Sequence, residues 1–346
     1  MSVAVVASVV AALVLGALLS AAAAPQVPVW IDADTAVGVP DRDVDDGVAL
    51  LQAFHSPELR IEGVSIVFGN TDLERAWPIG QSIVHRFGPE ALAVHRGAAG
   101  AADLGVETDA SRALARALER GRLTVVALGP ATNVATVLKN HPALASRIDR
   151  IVAVAGRRPG QRFTTGTTNT NGHRDFNFEE DPDAFRVLLS SAVPITLAPF
   201  EISSKVWITA ADLDTMSRGS AGARWLAPAA REWLALWTRT FAVDGFNPFD
   251  TLAVARVTSP ALLSCAPLPA RIEILADDAT EKRMQGTMAK EKPYLVVDAS
   301  LPPPRRVVEY CHGVSSSFKS DLLARLNASR SARAIVSATG SPTQSK

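Results

Sequence analysis

The chain has 346 residues, 47% of them hydrophobic, which is enough to bury one large α/β core or two smaller ones. Lys+Arg and Asp+Glu each number 35, so the formal net charge is zero. A neutral chain has no global attraction for nucleic acid or an anionic membrane, and suits a small or neutral ligand better.

From Val3 to Ala24 the chain is apolar or small, with Ser8 and Ser20 its only polar residues. The run ends in Ala21-Ala22-Ala23-Ala24-Pro25, small residues suited to signal-peptidase cleavage, so residues 1–24 read as a signal peptide. The run lacks Lys and Arg and is long enough to cross a bilayer, so an uncleaved anchor is the competing reading. The expected location is secreted or periplasmic, with membrane contact only if the segment is retained. In an exported chain, Cys265 and Cys311 are either one disulfide or two buried thiols, and both readings stand. Asn327-Ala328-Ser329 is a glycosylation sequon, meaningful only in a eukaryotic secretory route.

Residues 28–31 enter a short apolar strand that ends in acidic residues, and 47–56 read as a helix with apolar Val48, Leu50, Leu51 and Phe54. A second strand lies within 59–68 and closes on Gly69-Asn70. Helices are expected over 71–87, with Pro78 a kink or break, and over 110–120. The run 123–128 is an apolar strand leading through Gly129-Pro130 into a helix to Leu138. Further elements are a strand at 148–155, a helix at 184–189 and a strand at 194–198. Strand and helix alternate, and the strands are apolar runs. That pattern predicts an α/β fold, a mostly parallel central sheet with helices on both faces. No linker or repeat divides the chain, so residues 25–336 read as one domain and 337–346 as a disordered tail.

Trp30-Ile31-Asp32-Ala33-Asp34 places two carboxylates at the carboxyl end of the first strand, where open α/β sheets bind ligands. Asp41, Asp43, Asp45 and Asp46 follow. So many carboxylates repel one another unless a cation joins them, and an oxygen-only ligand set favours calcium or magnesium over zinc. The plainer reading is a solvated loop with Asp45 or Asp46 capping the next helix.

These residues resemble the signature of the inosine-uridine preferring nucleoside hydrolases, Asp-x-Asp-Pro-Gly-x-Asp-Asp-Ala-x-Ala-Leu. Asp32-Ala33-Asp34 and Asp45-Asp46-Gly47-Val48-Ala49-Leu50 match its two halves, with a longer loop (Thr35 to Val44) between them. Further pieces resemble the family in order: Gly69-Asn70, Leu128-Gly129-Pro130-Ala131-Thr132-Asn133, Asn169, Asp175-Phe176-Asn177, Asp181-Pro182-Asp183-Ala184 and Asn247-Pro248-Phe249-Asp250. The resemblance runs from about Val29 to about Leu326.

The resemblance implies a Rossmann-like nucleoside hydrolase fold and calcium-dependent cleavage of the bond between ribose and base, giving ribose and free base. It assigns Asp34 to the metal and to taking the proton from the attacking water. Asp46, Asp250 and the main-chain oxygen of Leu128 complete the metal ligands. Asp45, Asn70, Asn169, Asp175 and Asn177 hold the ribose. A nucleoside is the expected partner, and the resemblance also suggests a homo-oligomer. Such sugar contacts fit a reaction in which binding energy drives the ribose toward an oxocarbenium-like transition state.

Plainer roles stand beside these. Asn70 can simply end a strand in a turn, Asn133 can start a helix, Asp181 can cap one, and Asp250 can cap the helix it opens. Phe249 is the clearest departure, because many family members place a proton-donating His there. Phenylalanine donates no proton, so another group does, or the base leaves by stacking, or the leaving group is a better one. Phe249, Phe246 and Trp237 are either an aromatic wall for the base or core. His173 and Arg174 are either proton or anion ligands or exposed loop residues.

Two other functions compete. Asp32-Ala33-Asp34-Thr35 has some likeness to the haloacid dehalogenase-type phosphatases, although their Thr comes one position later. A non-catalytic ribose or nucleoside binder on the same scaffold, or a hydrolase of another ribosyl compound, also fits Phe249 and the enlarged loop.

Overall fold

The computed structural model describes residues 25–166, 172–278, 291–303 and 305–328. The expected signal peptide, the tail at 337–346 and Asn169 lie outside the described residues. Among the described residues, no helix is long and apolar enough to cross a membrane.

One nine-stranded sheet runs through the protein: β1 (Val27–Ala33), β2 (Leu59–Ile66), β3 (Val94–Arg96), β4 (Leu123–Ala127), β5 (Ile148–Ala153), β6 (Ile195–Leu197), β7 (Leu263–Ala276), β8 (Glu291–Val297) and β9 (Arg306–Val314). Its spatial order is β3-β2-β1-β4-β5-β6-β9-β7-β8. The first six strands and β9 pair in parallel, while β7 runs antiparallel to both β9 and β8. The mostly parallel sheet expected from the sequence is therefore present, with an antiparallel arm at one edge.

Successive strand residues enter opposite layers, which is why the central strands are mostly apolar. Val29, Ile31 and Ala33 pack on one face with α1 (Asp45–Phe54), α2 (Leu73–Phe87), α9 (Ala221–Phe241) and α10 (Thr251–Thr258). Trp30, Val125, Ala127 and Ile151 face the other layer, built from α3 (Asp109–Arg120), α4 (Thr132–Asn140) and α6 (Pro182–Ser190). The remaining helices are α5 (Phe176–Glu180), α7 (Phe200–Ser203), α8 (Ala210–Met216) and α11 (Phe318–Asn327).

Local chemistry sets several boundaries. Asp72, Asp181 and Ser220 each accept a backbone N–H at a helix start, and Thr108 forms a capping box with Ser111. Pro78 does not break its helix: α2 continues from Leu73 to Phe87. Pro267 and Pro269 sit where β7 pairs with β9 alone, since β8 pairs only with Ala270–Ala276. A residue without an N–H is tolerated on a strand with one neighbour. Cys265 and Cys311 are opposite each other on β7 and β9 and form a disulfide, which decides between the two readings of that pair. Asn327 ends α11 with its side chain against Gly219.

Candidate active site

The loops after β1, β2, β4 and β5 meet at their carboxyl ends, and the acidic cluster lies there. Asp34 follows β1 and is 1% exposed. Its carboxylate accepts the Asn70 N–H at 2.7 Å, and its own N–H donates to Asp46 Oδ1 at 3.0 Å. Asn70 Nδ2 reaches Asp46 Oδ2 at 3.4 Å, so Asn70 joins two carboxylates as well as ending a turn. Gly69, at φ +152°, has no room for a Cβ because Asp34 Oδ2 lies against it.

Asp45 and Asp46 are the first two residues of α1, where Asp45 Oδ1 accepts the Asp46 N–H at 3.0 Å and the Asp46 carboxylate turns to the Asp34 N–H. Asp43, in the enlarged loop, takes the start of the helix instead: its Oδ1 accepts the N–H groups of Val44 and Asp45 at 2.6 and 3.1 Å. Asp250, 205 residues further on, donates its N–H to Asp45 Oδ2 at 3.3 Å. The Asp250 side chain makes no cap bond to α10, so the capping role is not what it does. One carboxylate oxygen from each of Asp45, Asp46 and Asp250 lies within 4.8 Å of the others. Asp34 borders this group through Asp46 and has one buried oxygen, Oδ1, without a hydrogen-bond partner.

Burial and mutual repulsion lift these carboxyl groups together. Burial, then Asp46, pushes Asp34 well above the usual carboxylate range. Burial, then Asp45, takes Asp46 up to about 7. Asp45 rises to about 6 through burial, held back by hydrogen bonds. Asp250 is raised well above its ordinary value by burial and then by Asp45, Asp46, Asp34 and Asp43. Acids that resist ionisation together, with an orphaned buried oxygen beside them, fit a divalent cation. Every donor is oxygen, so a hard cation suits the set.

The other candidates surround this cluster. The Leu128 main-chain oxygen follows β4 and accepts from Asn177 Nδ2, which also reaches Val154 O at 3.3 Å. Asn177 thus ties the ends of β4 and β5 together. Asp175 is 5% exposed and accepts the Gly156 N–H at 2.8 Å. Burial lifts its pKa to about 6, against the opposing pull of Arg157. Asp32 is not in the cluster. It accepts from Ser65 Oγ at 2.5 Å and Asn133 Nδ2 at 2.8 Å, and Ser65 Oγ in turn accepts the Trp30 indole N–H. Asn133 also accepts the Ala98 N–H, so its side chain bridges three segments and is more than a helix start.

A cavity of about 290 Å³ opens over the acids, lined on one side by Asp45, Asn70, Asp175, Asn177 and Asp250 and on the other by aromatic rings. Phe249 and Trp237 belong to this wall, with Trp233, Phe241, Phe163 and Phe200. The Phe249 ring lies 6.1 Å from the centroids of both Phe200 and Trp237. Phe246 is fully buried and is core. His173 and Arg174 also line the cavity. His173 Nε2 lies 3.0 Å from Thr165 Oγ1 with its ring edge-on to Phe241, and Arg174 pairs with Glu179 and Glu180.

Sequence reasoning missed Trp233 and Phe241 in this wall. Their spacing with Trp237 (positions 233, 237, 241) is the one-face period of a helix, and that signal was available. It also missed Arg157 and Lys292, each 2% exposed, which no local motif marks.

The sequence model of the inosine-uridine preferring nucleoside hydrolase family matches residues 29–311, and the chain belongs to that family. It is 25% identical over 251 residues to a probable uridine nucleosidase of Oryza sativa subsp. japonica, covering 64% of this chain and 72% of that one. It is 29% identical over 201 residues to a uridine nucleosidase of Arabidopsis thaliana, covering 50% of this chain and 58% of that one. A pyrimidine-specific ribonucleoside hydrolase of Salmonella schwarzengrund shares 35% over 92 residues, 27% of either chain. The chain thus spans less than two thirds of the Arabidopsis and Salmonella relatives. Among solved structures, a purine-preferring ribonucleoside hydrolase from Gardnerella vaginalis superposes with a TM-score of 0.68 at 21% identity, covering 87% of this chain and 98% of that one. An inosine-uridine preferring nucleoside hydrolase from Bacillus anthracis gives 0.66 at 18% identity, covering 87% and 99%. At these identities the structures speak for the fold. The matched family leaves the phosphatase reading without support.

Proposed function

We propose that this protein hydrolyses the N-glycosidic bond of ribonucleosides, giving ribose and free base, with calcium as its cation. The observation that carries this is the buried acidic cluster itself: Asp45 and Asp250 line an aromatic cavity, with buried Asp46 beside them and buried Asp34 hydrogen-bonded to Asp46. Asp34, Asp46, Asp250 and the Leu128 main-chain oxygen would hold the cation, and the position of Asp45 makes it a further candidate ligand. A bound cation would lower the pKa of a water and orient the ribose hydroxyls.

The chain's own residues supply the rest. Asp34 accepts the proton of the attacking water; the water oxygen bonds to the anomeric carbon as the bond to the base breaks, and the electron pair leaves with the base. Asp45, Asn70, Asp175 and Asn177 grip the ribose, and the rings of Phe249 and Trp237 face the base; Asn169 is assigned to the ribose by the family resemblance alone. Phe249 donates no proton. His173 is the one imidazole lining the cavity among the described residues, which makes it the group to test as the acid.

Two named relatives act on uridine and a third on pyrimidine ribonucleosides, so uridine leads the assay panel. Full-length protein with calcium is expected to release reducing ribose from at least one nucleoside. Asp34→Asn is expected to lower kcat by about 10²- to 10⁴-fold, and EDTA to abolish turnover. Calcium-dependent ribose binding without turnover on any nucleoside would favour the binder, the second reading that Phe249 supports.

We propose further that the protein is exported and homo-oligomeric. The Cys265–Cys311 disulfide supports export, since such bonds persist in oxidising compartments. An intact residue 1–24 segment on protein from its native host would count against a cleaved signal. A monomeric mass in solution would count against the oligomer.

A further inference from the structure

Next to Asp175, joined to it through Glu179, lies a second set of charges that the proposed reaction does not use. Lys292, on β8, is 2% exposed, and its Nζ lies 2.9 Å from Glu179 Oε1, 3.2 Å from Asp277 and 3.4 Å from Asp278. Arg157 is equally buried. It pairs with Asp278 at 2.9 Å and stands 3.7 Å from Glu179, with its guanidinium between the rings of Phe163 and Tyr294. Glu179 is the junction. Its Oε1 accepts the backbone N–H of Asp175 at 3.0 Å as well as Lys292, and its Oε2 faces Arg174 at 3.4 Å.

Burying charges in this way is expensive, and apolar side chains of the same volume would stabilise the fold as well or better. The geometry instead serves direction. Arg174 and Asp175 have no sheet of their own to fix them: they lie between the isolated bridge of His173 to Phe163 and the five-residue helix that starts at Phe176. Glu179 holds that segment at the Asp175 N–H, and Lys292 holds Glu179 from the antiparallel arm. The Asp175 carboxylate is thereby left with the Gly156 N–H on one side and the cavity on the other. Arg157 and Lys292 also draw the Asp175 carboxyl toward its ionised form, against the burial that lifts it.

We infer that Glu179 and Lys292 are positioning residues that fix the Asp175 carboxylate toward the ribose, so that the antiparallel β7–β8 arm is part of the active-site scaffold. This rests on the proposed nucleosidase reading. Small displacements of a positioning group cost on the order of 10²-fold.

The test is a double-mutant cycle on full-length, calcium-loaded protein, with kcat and KM for the best nucleoside and the affinity for free ribose as readouts. Glu179→Gln keeps the shape but turns a donor toward Arg174; Lys292→Met removes the cation, and Lys292→Arg is the conservative rescue. The expected result is a 10- to 100-fold loss of kcat/KM and weaker ribose binding in Glu179→Gln and Lys292→Met, with partial recovery in Lys292→Arg. Neither loss should add to that of Asp175→Ala, and the calcium midpoint should stay unchanged. Losses that add fully to Asp175→Ala, or that appear only as a lower melting temperature, would overturn the inference. If Lys292→Met fails to fold, Glu179→Gln with Asp175→Ala still completes a cycle. A wild-type chain without turnover defeats the nucleosidase reading alone, because the same cycle is then read on ribose binding. A chain that neither turns over a nucleoside nor binds ribose defeats both.

Discussion

Stripping divalent cations while raising the pH puts the acidic cluster under its greatest stress. Asp45 and Asp46 have folded-state pKa values of about 6 and about 7 against an ordinary 3.8. A carboxyl raised on folding contributes stability that is fully present below its unfolded pKa and is lost as pH climbs through the folded one. The metal-free protein should therefore weaken between about pH 4 and about pH 7, the reverse of the usual salt-bridged carboxylate. Lifting Asp46 alone from 3.8 to about 7 corresponds to about 4 kcal/mol of folding free energy at the high-pH end. Calcium at roughly 100 times its Kd would return about 2.7 kcal/mol. The assay is thermal unfolding in EDTA and in calcium across that range. The EDTA melting temperature should fall with rising pH, and the gap between the two series should widen. In Asp46→Asn the EDTA slope should flatten and the calcium response vanish. A gap that does not depend on pH, or an Asp46→Asn protein that still responds fully to calcium, would refute the argument that the cluster is a cation site strained by its own charge.

Three further outcomes are expected. Gly69→Ala pushes a methyl group onto Asp34 and takes a backbone at φ +152° that alanine resists; kcat/KM should drop about 10²-fold while the calcium-induced rise in melting temperature shrinks, and unchanged kinetics would contradict the close approach. Phe249→His places an imidazole beside Asp250 and should raise kcat on nucleosides with poor leaving groups by about tenfold or more, measured as a rate ratio between uridine and an activated aryl riboside; an equal effect on both would argue against base protonation. Reducing the Cys265–Cys311 disulfide, which closes a separation of 46 residues, should cost about 4 kcal/mol by loop entropy, read by denaturant unfolding, with little change in kcat.

The parallel part of the sheet was legible because strands buried on both faces are rich in apolar residues, and those at 28–31, 59–68, 123–128 and 148–155 are mostly apolar, with charged residues confined to the starts of 59–68 and 148–155. The acidic cluster after β1 was legible for an electrostatic reason, since so many carboxylates gathered after one buried strand repel one another unless a cation joins them; the choice of ligands among them came only from the family resemblance. What stayed hidden depended on distance in the chain. No strand was expected at 263–276, and the one-sided pairing of β7 accounts for Pro267 and Pro269 being tolerated there. Asp250 was implied as a metal ligand by the family resemblance, with a helix cap as the plainer reading, and its place beside Asp45 is set by the fold. Arg157 and Lys292 are ordinary surface residue types in sequence, and nothing nearby announces that the fold buries both.

The hydrogen bond from Asp250 to Asp45 spans 205 residues, and Asn70, Leu128 and Asn177 enter from chain segments in between. No contiguous stretch of the polypeptide contains the floor of the cavity. If the cation binds as proposed, its uptake needs the segments carrying Asp34, Asp46 and Asp250 to be brought together. A trace calcium indicator, followed in real time during refolding, would then report when these distant segments have met.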